Sequence, residues 1–207
     1  MAGISWREAW CARLAAGRDQ HSNGAMLPAG YLYKFVVARP DWLHAATVGD
    51  IFSVSCCISR AFTDFIRHWK HNGYWLFDSP DIMHQIATVE AIDLSKATLF
   101  YYEVYEQEYD DRANSWRRFA PESSFVTNVQ EPGSKRCLGY DVATFWAGTS
   151  PECSPLSCNS LAESEPVNGH CLFDSFDRAK EAIERGIFKG AEPGPYRIFA
   201  VYSTDGK

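Results

Sequence analysis

Apolar and aromatic residues recur along the chain in two patterns, one typical of strands and one typical of helices. Extended apolar runs bounded by turn residues predict β-strands, and they occur at residues 31–38, 51–58, 99–109, 125–129, 137–145 and 196–202. Apolar residues spaced by three and four positions predict α-helices, and they occur at residues 4–16, 60–71 and 174–186 and in a segment that begins at Ser79-Pro80.

The order of these elements lacks the regular alternation of strands and helices that a doubly wound sheet requires. We therefore predict a single compact α+β domain over residues 1–207, with a mixed, mostly antiparallel sheet and about four helices. No internal repeat is apparent. A long irregular loop is predicted at residues 148–169, where 13 of 22 residues are Gly, Pro, Ser, Thr or Asn. Structureless connections of that length are usually functional or disordered.

The balance of charge narrows the class of partner. Twenty Lys and Arg against 26 Asp and Glu give a formal net charge of −6. A general binder of phosphate backbones needs a concentrated positive surface, so nucleic acid is a disfavoured partner. The chain shows neither the pattern of a secretory signal nor an apolar run long enough for a bilayer. We therefore expect a soluble, cytoplasmic protein with no membrane partner.

The irregular loop carries the residues best suited to bind a metal ion. Cys153 and Cys158 lie within the loop, and His170 and Cys171 follow it directly. Thiolate and imidazole are the ligands that zinc prefers, so these four residues are the candidate zinc ligands. The alternatives are a protein without a cofactor in which these cysteines are free thiols, some of them buried as small apolar groups, or a transient disulfide, because the chain has seven cysteines and no regular disulfide spacing.

A nucleophilic thiol is a second candidate in the same region. Cys158 would act as the nucleophile and His170 as the base, because a nearby imidazole lowers the pKa of a thiol. Cys56 and Cys57 are interpreted differently, since they fall in the predicted strand at residues 51–58. Neighbouring residues of a strand face opposite sides, so this pair is expected to pack in the core and not to form a joint site.

The end of the predicted strand at residues 99–109 is rich in carboxylates and tyrosines. Alternation places its acids on one face and its tyrosines on the other. An exposed acidic strand end discourages edge-to-edge aggregation, or it attracts a partner protein that has a basic surface. The candidate partner-binding residues are Tyr105, Glu106, Glu108, Asp110 and Asp111.

Several common catalytic motifs are missing from the sequence. It contains no Gly-rich phosphate loop, no Gly-x-Ser-x-Gly elbow and no His-Glu-x-x-His helix. We therefore expect a non-catalytic protein-binding protein of the inhibitor or immunity type, which acts by covering a partner protein. The alternative is a small cysteine- or zinc-dependent enzyme that uses the region from Cys153 to Cys171.

Overall fold

Four long strands form the centre of the molecule in the computed structural model, which describes residues 25–66, 70–145 and 151–204. The predicted helix over residues 4–16 lies outside these ranges. The strands are β1 (Met26–Lys34), β2 (Val37–Ala38), β3 (Asp50–Ile51), β4 (Thr98–Asp110), β5 (Ser115–Arg118), β6 (Lys135–Thr144) and β7 (Tyr196–Thr204). The α-helices are α1 (Pro80–Glu90), α2 (Pro155–Cys158) and α3 (Phe176–Glu184), and 3-10 turns span Phe62–Phe65 and Leu161–Glu163.

The central sheet has the strand order β1-β4-β7-β6, with β5 paired to β4, and β2 and β3 form a separate hairpin. Every pair of strands in the described ranges is antiparallel. The α1 residues Met83 and Ala87 pack in one buried cluster, and the α3 residues Ala179 and Ile183 pack in a second. The predicted antiparallel α+β architecture is confirmed, with three α-helices in the described ranges instead of about four.

The helices predicted from Ser79-Pro80 and over residues 174–186 form as α1 and α3, whereas the described part of the predicted helix over residues 60–71 is not an α-helix. Only a 3-10 turn forms there, and it ends at Ile66, whose backbone is extended with φ −113° and ψ 139°. The apolar stripe is therefore interrupted after one turn, while residues 67–69 lie outside the described ranges. The predicted strand at residues 51–58 also stops after Ile51, and residues 125–129 form no strand.

A repeated motif, Asn-Gly-x-x-Leu-Phe-Asp-Ser, occupies residues 72–79 and 168–175, so the expectation of no internal repeat was wrong. Each copy leads directly into a long helix, α1 or α3. In both copies the fourth residue has a left-handed backbone conformation although it is not glycine, with φ 64° at Trp75 and 61° at Cys171. The motif therefore encodes the same backbone turn twice.

The asparagine of each copy organises its turn through the same set of hydrogen bonds. Asn72 Oδ1 accepts from the backbone N–H groups two and four residues later, at 2.9 and 3.2 Å. Asn168 Oδ1 does the same at 2.9 and 3.3 Å. The Nδ2 groups donate at 2.8 Å to backbone carbonyls of β1 and β6 respectively. Each turn is thereby fastened to an outer strand of the sheet.

Both outer strands carry a bulge where the turn approaches them. The register shifts just before Gly30 in β1 and just before Gly139 in β6. These glycines have φ +131° and +144°, a region that side chains rarely adopt. Tyr102 lies opposite Gly30 and Val201 lies opposite Gly139, and these two residues pair with each other at the centre of the sheet. The two halves of the fold are thus related by an approximate two-fold axis between β4 and β7.

Candidate functional site

Three cysteines from separate parts of the sequence meet beside the sheet. The sulfur atoms of Cys57, Cys153 and Cys158 all lie within 4.8 Å of one another. We call these three residues the thiol cluster. Cys57 is exposed, Cys158 is half-buried and Cys153 is buried. The cluster therefore lies at the border between the core and solvent.

Local backbone contacts fix each sulfur of the thiol cluster. The segment with Cys153 is tied to the end of β6, because Thr144 N–H donates to the Cys153 carbonyl at 2.9 Å and Glu152 N–H donates to the Thr144 carbonyl at 3.1 Å. Cys158 ends the short helix α2, in which Pro155 occupies the first turn. Asn159 Nδ2 then reaches back to Cys153 Sγ at 3.5 Å.

Asp141 of β6 joins the two segments that carry the cysteines. Its Oδ2 accepts from Val54 N–H at 2.8 Å and from the Ser154 hydroxyl at 2.7 Å. Val54 lies on the Cys57 segment, and Ser154 lies on the segment of Cys153 and Cys158. Asp141 is fully buried, so this one carboxyl group positions both sides of the thiol cluster.

Lys34 supplies a second buried contact to the Cys57 segment. Its side chain is fully buried, and Nζ donates to the backbone carbonyl of Ser55. Burial lowers the pKa of Lys34, while the nearby Cys56, Asp64, Asp141 and Cys57 oppose that shift because they favour the ammonium form. The buried lysine thus faces the acidic and thiol groups around the cluster.

The three thiols share protons unevenly. Hydrogen bonds from the other two thiols lower the pKa of Cys57, whereas the hydrogen bonds that Cys153 makes to Cys158 and Cys57 raise its own pKa because it acts as the donor. Yet Cys57 Sγ also lies 2.8 Å from the carbonyl oxygen of Glu152, a contact that only a thiol can make favourably. A thiolate at Cys57 is therefore stabilised by its thiol neighbours and opposed by this carbonyl. A cation between the sulfurs would remove the conflict, since it balances the charge of all three thiolates.

A cavity of about 430 Å³ opens next to the thiol cluster. Cys57 belongs both to the cluster and to the cavity wall. The wall is otherwise mostly apolar, with carboxylates at Asp64 and Glu152, and its lining includes Leu32, Val54, Trp75 and Leu76. Volumes of roughly 300–1,000 Å³ are typical of small-molecule sites, so the cavity is large enough for an organic ligand to approach Cys57.

The structure unites two of the four predicted zinc ligands and separates the other two from them. Cys153 and Cys158 lie in the thiol cluster, but His170 and Cys171 are not among its members. His170 Nδ1 instead contacts Asp50 Oδ1 at 2.6 Å, and its ring stacks on Phe52 with centroids 4.2 Å apart. Cys171 is buried, and burial raises its pKa to about 12.

Cys57 is the cluster member that the sequence pattern missed. It was placed in a buried strand beside Cys56, but no strand forms there and Cys57 is exposed. The predicted loop is also different, because residues 153–157 are buried and residues 155–158 form α2. The pairing of Cys158 as nucleophile with His170 as base stays a prediction, and the nearest hydroxyl to Cys158 is that of Ser55, at 3.9 Å.

The predicted docking strip on β4 consists mostly of groups with partners inside the protein. Glu108 is buried and bonds both Arg117 and Arg197, and Asp110 also bonds Arg117, at 2.6 Å. Tyr105 lies in the core, where it packs against Trp116 and Phe176. Glu106 Oε1 and Asp111 Oδ2 each accept a backbone N–H, both at 3.1 Å. Docking of a basic partner here stays a prediction. Tyr105 cannot be one of its surface contacts, because the side chain lies in the core.

Comparison of the chain with protein-family models, with curated proteins and with solved structures finds no match. Across residues 25–66, 70–145 and 151–204, no helix has both the length and the apolar character needed to cross a membrane.

The buried carboxyl group of Asp141 leads to a prediction about pH. Burial raises its pKa to about 7, whereas an unfolded Asp titrates near pH 4. The folded protein therefore keeps a proton that the unfolded chain releases between these values. The contribution of Asp141 to the free energy of unfolding should be largest below about pH 4. It should fall by up to about 4 kcal/mol as the pH rises to 7.

Urea denaturation of the wild type and of Asp141→Asn at pH 5 and pH 7.5 measures this effect. Asparagine does not titrate, so the variant should lose less stability than the wild type between the two pH values. Equal losses in both proteins would show that Asp141 does not retain its proton on folding.

Proposed function

We propose that this protein is a small zinc-dependent enzyme whose metal ion is held by the thiol cluster. The observation that carries the proposal is the approach of three sulfur atoms to within 4.8 Å of one another. A tetrahedral zinc ion with Zn–S bonds of about 2.3 Å places its sulfur ligands about 3.8 Å apart. Only a small contraction of the cluster is needed to reach that geometry.

The contacts around the cluster support a metal ion more than a lone nucleophilic thiol. A nucleophilic cysteine needs a base or a cation beside its sulfur, but Cys57 faces a carbonyl oxygen and two other thiols. The Asn159 amide, 3.5 Å from Cys153 Sγ, is an N–H donor of the kind that supports metal-bound sulfur. Asp141 supports the ligand segments by a different contact, because its Oδ2 accepts hydrogen bonds from Val54 N–H and from the Ser154 hydroxyl.

The number of ligands favours a catalytic over a structural zinc ion. Structural sites are closed by four protein ligands, whereas catalytic sites have three and keep one position open. Within the part of the chain that the structure describes, three ligand atoms form the group. Its exposed member, Cys57, faces the cavity, which gives a substrate access to the fourth position.

Zinc analysis of cysteine variants tests the proposal. The reduced wild-type protein should contain about one zinc ion per chain, and Cys153→Ser and Cys158→Ser should each weaken zinc binding by at least about 100-fold, because serine is a poor zinc ligand. The measurement is elemental analysis after gel filtration, followed by competition with a zinc-binding dye.

Two variants serve as matched controls. Cys137 is an exposed cysteine outside the cluster, so Cys137→Ser should retain full zinc affinity. His170→Ala should also retain it, because the His170 ring is engaged with Asp50 and Phe52. A wild-type protein without zinc affinity above that of the cluster variants would overturn the proposal.

A further inference from the structure

We infer that the fourth ligand of the zinc centre is the sulfur of an organic thiol, which is the substrate class of the enzyme. The inference rests on the proposed function and adds the chemistry of the molecule that occupies the cavity. It follows from the charge of the centre, from the groups that surround it and from the shape of the wall beside Cys57.

The charge of the centre disfavours an activated water molecule. One zinc ion and three thiolates carry a net charge of −1, whereas a zinc ion held by three neutral histidines carries +2. A zinc ion makes bound water acidic by withdrawing electron density from it. Three anionic sulfurs already supply part of that density, so the ion stabilises hydroxide less strongly than an ion held by three histidines does.

The charged groups around the centre also disfavour a bound hydroxide ion. Asp64 and Glu152 lie in the cavity wall. Lys34 is the opposing cation, but its Nζ is buried and directed to the Ser55 carbonyl. A hydroxide ion bound to the metal would add a negative charge on the cavity side, where these carboxylates would repel it. A sulfur ligand spreads its charge over a larger, more polarisable atom.

The shape and polarity of the cavity fit the body of an organic thiol. Trp75 is the half-buried aromatic part of the wall, and Leu32, Val54 and Leu76 line it with side chains that are almost fully buried. The thiolate ligands also make the zinc ion a soft centre, and soft centres prefer sulfur ligands. The sulfur of the substrate would therefore bind zinc while its apolar part lies along this wall.

The binding step is balanced without any redox reaction. The S–H bond of the incoming thiol breaks, a zinc–sulfur bond forms and one proton leaves to solvent. The product is a zinc ion with four thiolate ligands, in which the substrate sulfur is held as a thiolate at neutral pH. A free thiol has a pKa near 8.5, so the metal would raise the thiolate fraction of the substrate and prepare it as a nucleophile.

Cobalt substitution tests this inference with a matched pair of probes. Cobalt(II) would replace zinc in the reduced wild-type protein, and the absorbance of its thiolate-to-cobalt bands would be followed while benzyl mercaptan or benzyl alcohol is added. The two probes have the same apolar body and differ only in sulfur against oxygen. We expect the mercaptan to increase the band intensity by roughly one third, as a fourth sulfur joins three, and the alcohol to leave it unchanged.

The outcomes separate this inference from the proposed function. Thiolate-to-cobalt bands in the protein alone support the three-thiolate centre, and their absence would overturn both proposals. Bands that are present but do not respond to the mercaptan, and change instead when the pH is raised, would show a water ligand and overturn the thiol inference alone. Cobalt content after gel filtration must stay at one ion per chain, since loss of the ion to the mercaptan would also contradict the inference.

Discussion

Gly30→Ala and Gly139→Ala are each expected to lower the free energy of unfolding by about 3–5 kcal/mol, because both backbone strain and overpacking contribute. Both glycines have a positive φ that side chains rarely adopt. A methyl group at Gly30 would lie 2.6 Å from the Phe77 carbonyl oxygen, and one at Gly139 would lie 2.7 Å from Leu172 Cβ. Neither contact can relax without moving the repeated turn away from its outer strand.

Urea denaturation measures this effect against two control substitutions. Gly133→Ala and Gly190→Ala add a methyl group where no atom lies within 4 Å, so they should change stability little. A cost below about 1 kcal/mol at Gly30 or Gly139 would show that the outer strands do not need the bulges. A large cost at only one of them would contradict the equivalence of the two halves.

Asn72→Asp is expected to cost about 4 kcal/mol, and Asn168→Asp about 2 kcal/mol. Either substitution replaces the Nδ2 donor with an oxygen that faces a backbone carbonyl. Asn72 is more sensitive because it is buried and its Nδ2 also donates to Asp78 Oδ1 at 2.9 Å. The new carboxylate at this position would therefore meet a second carboxylate.

Thermal or urea denaturation at pH 7 and pH 4 distinguishes the electrostatic cost from the steric cost of these two substitutions. The cost of Asn72→Asp should shrink at pH 4, where the new carboxyl group at position 72 takes up a proton, and the ranking of the two variants should persist at pH 7. A larger cost at Asn168 than at Asn72, or no pH dependence at Asn72, would contradict the role of Asp78.

Long apolar runs predicted the sheet well because burial alone determines them. Residues 99–109, 137–145 and 196–202 are strands within a few residues of the predicted bounds. The pattern failed at residues 60–71, where Phe62 and Phe65 keep helical spacing without a helix. Phe62 packs against Phe77 and Phe65 against Phe35, so contacts distant in sequence hold this segment as a single turn.

The thiol cluster could not be predicted from strand alternation, because the segment with Cys57 is not held by a neighbouring strand. Its backbone partners are side chains from other elements: Asp141 accepts from Val54 N–H, and Lys34 donates to the Ser55 carbonyl. Because these contacts replace strand pairing, the side chains of Cys56 and Cys57 do not follow the alternation of a strand. The repeated motif does not identify the cluster either, because Cys57 precedes the first copy by 15 residues whereas Cys158 precedes the second copy by 10.

The approximate two-fold axis has a consequence for how the site could arise. Two identical half-length chains that paired their inner strands would form a symmetric dimer with an isologous interface, in which each side chain of one subunit has a symmetry mate in the other. In such a dimer every additional ligand appears twice. Fusion of the halves into one chain removes this constraint, because each half can then change alone. In the first half Arg60 takes the place of Cys153, because Phe35 N–H donates to the Arg60 carbonyl as Thr144 N–H donates to the Cys153 carbonyl, and each donor lies five residues after the bulge glycine of its own half. The fused chain therefore permits a site with an odd number of sulfurs and one open coordination position. The symmetric dimer does not permit this arrangement.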